Sequence, residues 1–267
     1  MELDKLRHEM TQITLERRLC PEDIVCFYTP DRILFNDCER YHIDAEWNKE
    51  VKMKPSLFDG KLFHANRQEF LQSQLMFHTC LSSFKEWVGT KGNKFKELFC
   101  QNKVIRPLSI GSMIVTSDNK WIIGRRKKTY DLEGQYTLIS GYMDPDKDLI
   151  NSKPDPFFSI RREIEEETGT NGDQDIADVL CLGVDGIDQP YLAFRTQLKI
   201  SYDELIPNIP AEKEFRKLEA YEYNETSIKN FVESNYKEMT PHTLANMLLM
   251  YSYNDDEPER EVKECTY

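Results

Sequence analysis

Nowhere in this chain of 267 residues is there an apolar run approaching the ~18 residues of a membrane-spanning helix. A membrane partner is therefore not expected. The first ten residues, MELDKLRHEM, are charged from Glu2 onward and contain no apolar signal core. Basic surplus is missing too: 35 Lys and Arg stand against 47 Asp and Glu, a net charge of −12. General affinity for nucleic acid needs a basic footprint, so DNA, RNA and anionic membrane surfaces drop out as expected partners. An acidic protein that handles phosphates must supply positive charge locally, from a few side chains or a metal ion. The seven cysteines (Cys20, Cys26, Cys38, Cys80, Cys100, Cys181 and Cys265) are scattered and form no CxxC pair. That excludes a disulfide frame and a zinc knuckle, and it fits reduced thiols in a cytoplasmic or nuclear protein. Internal repeats and low-complexity segments are absent as well.

What is present is enough apolar and aromatic material, 39% and 11% of residues, to bury a core in one large domain or two small ones. The opening segment to about Arg18 alternates charge with apolar positions and predicts a helix. From Asp23 onward, short β-rich runs predict strands, and SLFDGKLF predicts a strand pair turning at Asp59-Gly60. RQEFLQSQLMFHTCLSSFKEWVG predicts a further strand and then a short helix ending at Gly89. Two apolar strands, Ile110 to Thr116 and Trp121 to Gly124, flank a Ser-Asp-Asn turn. GQYTLISGYM predicts a strand that stops at Gly141, and a polar loop, DPDKDLINSKPDP, follows. VLCLGVDG and PYLAFRTQLKI read as two strands around a bend at Asp188-Pro190. TPHTLANMLLMYSY predicts a helix capped by Thr240, with Leu244, Met247, Leu248 and Tyr251 as its buried stripe.

The most informative stretch is SIRREIEEETGT, residues 159 to 170. Asp155-Pro156 is a helix start and Gly169 a helix stop. Between them Phe157, Ile160 and Ile164 share one stripe at 100° per residue. Glu163 and Glu167 are i,i+4 neighbours and Glu163 and Glu166 are i,i+3 neighbours, so the three carboxylates share an adjacent face. Each such pair repels by a few tenths of a kcal/mol, and the C-terminal turns of a helix disfavour anions. A divalent cation turns that repulsion into ligation, since Mg²⁺ takes oxygen donors from a few carboxylates plus substrate phosphate. The competing reading is a solvated face in which Arg162 pairs with Glu166.

Arg162-Glu163-Ile164-Glu165-Glu166-Glu167-Thr168-Gly169-Thr170 resembles the second half of the Nudix box, G-x5-E-x7-R-E-U-x-E-E-x-G-U. It agrees at the Arg, the Glu beside it, the aliphatic position, both later Glu and the Gly; Thr170 replaces the last aliphatic residue. The first half departs. Gly141 is the natural box glycine, but Arg162 follows it by 21 positions, seven more than in the box, and the earlier glutamate falls on Pro154. An expanded box is seen in the UDP-sugar pyrophosphatases of animals and similar plant Nudix proteins. IDAEWNKEVKMKPSLFDGKLFHANR, LSSFKEWVGTKGN, RPLSIGSMIVTSDNKWIIGRRKK and GQYTLISGYMDP are similar to segments of that subgroup. His64 stands where those relatives tend to carry arginine.

The resemblance implies an α+β fold: an α/β/α sandwich around a mixed sheet, plus an N-terminal β-rich extension. It implies an extension over residues 1–103, a hydrolase domain over 104–252 and an acidic tail over 253–267. The implied activity is Mg²⁺-dependent (or Mn²⁺-dependent) hydrolysis of the pyrophosphate in a nucleotide-sugar such as UDP-glucose, giving UMP and sugar 1-phosphate. ADP-ribose, a dinucleoside polyphosphate, or a non-catalytic nucleotide-binding role are the alternatives. Glu163, Glu166 and Glu167 are implied as metal ligands, Arg162 as the residue that orients a glutamate, and Gly141 as a substrate-site glycine. The proton acceptor is left between a helix glutamate and a later acid such as Glu212 or Glu214. Arg125 leads the basic run Arg125 to Lys128 and is the first choice for phosphate or sugar; a solvated hairpin end is the other reading. Phe58, Phe63 and Trp87 are candidates to stack on a base, although most such residues are core. His42, His78 and His242 show no ligand spacing and read as structural.

Overall fold

The structure, a computed structural model, describes residues 3–99, 101–127, 132–186, 189–210 and 215–252. Lys128, Asp188, Glu212, Glu214 and the acidic tail lie outside the described residues. In chain order, helix α1 (Leu3–Met10) and strand β1 (Ile13–Leu19) precede β2 (Ile24–Arg32), α2 (Asp37–Met53), β3 (Lys61–Leu71) and β4 (Gln74–Ser83). Then come α3 (Phe84–Thr90), α4 (Asn93–Leu98), β5 (Ser109–Val115), β6 (Lys120–Arg126), β7 (Tyr136–Thr137) and β8 (Ile139–Tyr142). The hairpin β9 (Leu149–Ile150) and β10 (Lys153–Pro154) leads into the glutamate helix α5 (Pro156–Thr168). The rest is α6 (Gly172–Asp175), β11 (Ile176–Asp185), β12 (Tyr191–Leu198), α7 (Tyr202–Leu205), β13 (Phe215–Glu222), α8 (Glu225–Asn235) and α9 (Pro241–Ser252). Two compact units result. One draws its described residues from Met1–Pro21, Ser109–Gly141 and Pro156–Tyr267, the other from Glu22–Leu108 and Tyr142–Asp155.

The first unit is built on a mixed sheet in the order β1-β11-β12-β5-β6-β13, with β7 beside β6 and β8 beside β5. Strand β12 runs parallel to β5, Tyr191 lying beside Ser109 and Gln197 beside Val115, while β11–β12 and β13–β6 are antiparallel. All seven residues of β5 are buried, as expected for a central strand covered on both faces. Alternate residues therefore serve different layers. Met113 and Val115 join Leu244, Met247 and Leu248 of α9 and Phe231 and Val232 of α8 in one core. On β12, Ala193 belongs to that same core. Its neighbour Phe194 meets Phe157 of α5 edge-on, with ring centroids 5.3 Å apart. Helices thus cover both faces, the α/β/α sandwich expected of the sequence. A buried polar clamp holds the parallel pair: Asn246 Nδ2 of α9 donates to Gly111 O at 3.0 Å and Phe194 O at 3.3 Å.

The second unit centres on a three-stranded sheet, β2-β4-β3. β2 is parallel to β4, and β3 is antiparallel to it. The β3–β4 hairpin turns at Gln72 and Ser73, both at positive φ (49° and 69°), the backbone of a two-residue primed turn.

Several sequence expectations are corrected. The opening helix ends at Met10, not near Arg18; ITLERRL forms β1, with Leu15 and Leu19 buried against the sheet. No hairpin turns at Asp59-Gly60. Asp59 Oδ1 accepts from Lys85 N at 2.8 Å and Gly60 O from Phe84 N at 2.8 Å, so the segment ties down the start of α3. Five of the described helices, α2, α4, α6, α7 and α8, have no counterpart in the sequence expectations, and α2 and α8 are the longest of them. α2 carries a reciprocal capping box: Asn36 Oδ1 accepts from Glu39 N (3.0 Å) and Glu39 Oε2 from Asn36 N (2.7 Å). α8 starts at Asn224, whose Oδ1 accepts from Ser227 N at 2.8 Å. The polar loop after β8 contains the small β9–β10 hairpin, turned by Asn151 and Ser152 at positive φ.

Candidate active site

The α5 sequence has one stripe that must be buried and one that need not be. Phe157, Ile160 and Ile164 take the first, the two isoleucines fully enclosed. In the last turn Thr168 Oγ1 donates to Ile164 O at 2.6 Å, and the chain leaves through Gly169 at φ +71°. With the isoleucine stripe fixed, the helical period carries Glu163 and Glu167 onto the flank beside it, and Arg162 and Glu166 further round the same side.

On that side Arg162 Nη1 lies 2.9 Å from Glu163 Oε1 and 3.2 Å from Glu166 Oε2. The side chains of Arg162 and Glu163 are 13% exposed and that of Glu166 is 45% exposed. One guanidinium nitrogen thus separates two carboxylates that would otherwise repel. The Arg162–Glu166 pair is also what a solvated-face reading requires, but the depth of Glu163 and its next neighbour go beyond it. Gly141, at the end of β8, faces Glu163 so closely that a Cβ there would stand 2.4 Å from Cδ and 2.5 and 2.7 Å from the two carboxylate oxygens. Only a residue without a side chain leaves the Glu163 carboxylate its place. The third carboxylate, Glu167, is half-buried, and its Oε2 is buried.

The donor set fits a hard divalent ion: three carboxylates on one helix flank, with no sulfur or imidazole among them. Among the described residues no group of three or more His, Cys, Asp or Glu forms a ready-made metal cage. Mg²⁺ does not require one, because it keeps several waters and commonly takes only one or two carboxylates together with phosphate oxygens.

The other sequence candidates are placed as follows. Arg125 donates from Nη1 to Gly134 O at 3.0 Å and to Glu238 Oε2 at 2.9 Å, and its guanidinium lies 3.8 Å from the Tyr136 ring centroid. Phe63 and Trp87 are buried, whereas Phe58 is 79% exposed. His42 packs among Phe95 and Phe99. His78 stacks on Phe27 and lies 3.0 Å from Glu69. His242 stacks on Tyr191, and burial of the ring lowers its pKa to about 4. His64 is buried with Nδ1 accepting from Arg106 N at 2.7 Å. Burial, and then the nearby Arg106 charge, bring its pKa to about 4. The sequence did not foretell the depth of the Glu163–Gly141 contact. The glycine was legible; the approach across the sheet edge was not.

No family model matches this chain, and no curated protein matches it. Among solved structures, a Nudix hydrolase from M. Smegmatis is 11% identical over 52% of this chain and 80% of its own, with a TM-score of 0.36. A bifunctional NMN adenylyltransferase/ADP ribose pyrophosphatase from Francisella tularensis, complexed with AMP and manganese, is 13% identical over 58% of this chain and 48% of its own, with a TM-score of 0.37. A C. elegans Ap4A hydrolase is 14% identical over 54% of this chain and 94% of its own, with a TM-score of 0.34. Likenesses at this level carry no argument about the chemistry of α5, which rests on its own residues.

Proposed function

We propose that the chain is a Nudix-type hydrolase that cleaves the pyrophosphate of a nucleoside diphosphate linked to a second group. The observation that carries this reading is the close seat of Glu163 against Gly141, with Arg162 bridging Glu163 to Glu166. A stability role alone gives no reason to bring a glycine against a carboxylate on a helix flank already crowded with negative charge.

Glu163, Glu166 and Glu167 would hold Mg²⁺ or Mn²⁺. When bound, such an ion neutralises charge on the diphosphate and lowers the pKa of water. The protein's own part is largely positioning, which dominates phosphoryl transfer. Arg162 holds Glu163 and Glu166 at fixed separation, and Gly141 sets how deeply Glu163 sits. A water oxygen bonds to one phosphorus, the bridging P–O bond breaks, and the departing phosphate keeps the electron pair. The water proton passes to one of the α5 carboxylates. Arg125 is proposed as a phosphate contact. Its guanidinium is oriented over Tyr136, and its partner Glu238 is 60% exposed, so the competing ion pair is a weak surface one of about 1 kcal/mol or less.

Within this substrate class a UDP-sugar is the finer proposal, on the resemblance of the expanded box and its flanking segments. ADP-ribose and dinucleoside polyphosphates are the alternatives. The test is a product assay with Mg²⁺ and Mn²⁺ over UDP-glucose, UDP-galactose, ADP-ribose and diadenosine tetraphosphate, run beside Glu166→Gln. Turnover of at least one substrate, abolished by chelator and reduced at least about 100-fold by the variant, is expected. No product from any of them would leave a non-catalytic nucleotide-binding role.

A further inference from the structure

A second group of charged side chains lies far along the sequence from α5. It lines a cavity of about 270 Å³ wholly within the second unit, and it brings together Arg32, Arg40, Asp44, Asp59, Lys85 and Glu86. These residues come from the end of β2, one face of α2, the Asp59 tie and the first turn of α3. The formal charges balance, three against three, but the hydrogen bonds do not. Asp44 is paired with Lys85 Nζ at 2.5 Å, and Asp59 accepts from Lys85 N at 2.8 Å. Glu86 Oε2 accepts from Ser82 Oγ at 2.8 Å and from Ser83 N at 3.1 Å. Each acid is thus committed to a donor in the wall.

The arginines are not committed in that way. Arg40 donates only through Nε, to Phe35 O at 3.1 Å. Arg32 has its nearest acid, Glu86 Oε1, at 3.6 Å, beyond hydrogen-bond range. Among the described residues, the terminal nitrogens of both guanidinium groups make no intramolecular hydrogen bond within that range. Paired N–H donors on a planar fork match the oxygens of a phosphate or carboxylate. Two forks carry two positive charges and at least four donors, which suits the three terminal oxygens and double charge of a phosphomonoester better than the two oxygens of a carboxylate. The volume is several times the ~30 Å³ share of one water, so there is room for a small body attached to the phosphate.

We propose that this cavity binds a small phosphomonoester, with Arg32 and Arg40 holding its phosphate oxygens. Its lining includes no residue of α5, and the proposal does not depend on the α5 carboxylates being catalytic. Calorimetric titration of the full chain in chelator with inorganic phosphate, glycerol 3-phosphate and malonate tests it. Saturable binding of both phosphates is expected, weakened at least tenfold by Arg32→Gln or Arg40→Gln and unchanged by Glu163→Gln. Wild-type protein gives an independent reading: phosphate should protect Arg32 and Arg40 from phenylglyoxal. The proposal is overturned by no saturable phosphate binding, by binding indifferent to both arginine variants, by loss of binding in Glu163→Gln, by tighter binding of malonate than of phosphate, or by unprotected arginines.

Discussion

Replacing Gly141 by alanine separates the site from the fold. The backbone there is not in the left-handed region, so alanine meets no conformational penalty. The new methyl would stand 2.4 Å from Glu163 Cδ and 2.5 Å from Oε1, against ordinary contacts of about 3.5–4.0 Å. The carboxylate must retreat by about 1 Å. Because a glutamate tip moves by rotating side-chain bonds, the cost to folding should stay near about 1 kcal/mol. Activity is less forgiving: a displacement of about 1 Å in a positioned group can cost about 100-fold, or about 2.7 kcal/mol in the transition state. Thermal melting and metal-dependent turnover of Gly141→Ala therefore have to be read together. A melting temperature within a few degrees of wild type and turnover down about 100-fold are expected. Full turnover would refute the claim that Glu163 is held in a working position, and a loss of activity matched by an equal loss of stability would reduce Gly141 to a packing residue.

Arg162→Lys keeps the charge but not the planar fork; turnover should fall about tenfold or more while KM changes little, as steady-state kinetics would show. Arg125→Gln should act in the opposite sense, raising KM more than it lowers kcat, and unchanged KM would return Arg125 to a purely structural role. Leu248→Ala empties a buried position in the α8–α9 core and should cost about 2–5 kcal/mol by denaturant unfolding. Acid should destabilise the protein between about pH 6.5 and 4. His64 and His242, with pKa values lowered to about 4, stay neutral in the fold but take up protons on unfolding. Asp185 opposes them, since burial raises its pKa to about 6 and it loses its proton on unfolding. For these three groups two uptakes against one release leave about one proton, or about 1.4 kcal/mol per pH unit, and His42, whose pKa burial also lowers, acts in the same sense; a pH series of melts that is flat over this window would contradict it.

The sandwich was legible because its signals are local. The buried run of β5, the Thr240-Pro241 start of α9 and the isoleucine stripe of α5 each declare an element within a few residues. The failures have physical causes. Asp59-Gly60 has the chemistry of a hairpin turn, but its carboxylate was claimed by the backbone of α3, a partner 26 residues away. The left-handed pair that does turn the hairpin, Gln72 and Ser73, has no glycine or asparagine to announce it. The Asn36-to-Glu39 capping box and the Asn224 cap are both written in the sequence, but neither stands beside an apolar stripe strong enough to announce a helix. At the candidate site, the order Arg162-Glu163-x-x-Glu166-Glu167 fixes which side chains share a flank. It says nothing of depth, which comes from where β8 delivers Gly141. The cavity around Arg32 and Arg40 left no trace at all, since its walls come from distant parts of the chain.

The central claim is that the α5 carboxylates together capture a divalent ion. Titration of the full chain with Mn²⁺, followed by the loss of the free-ion electron paramagnetic resonance signal, tests it without reference to any substrate. Saturable binding at α5, weakened at least tenfold by Glu163→Gln and by Glu167→Gln with the fold intact, is the expected result. Isotherms that superimpose for wild type and both variants would contradict it.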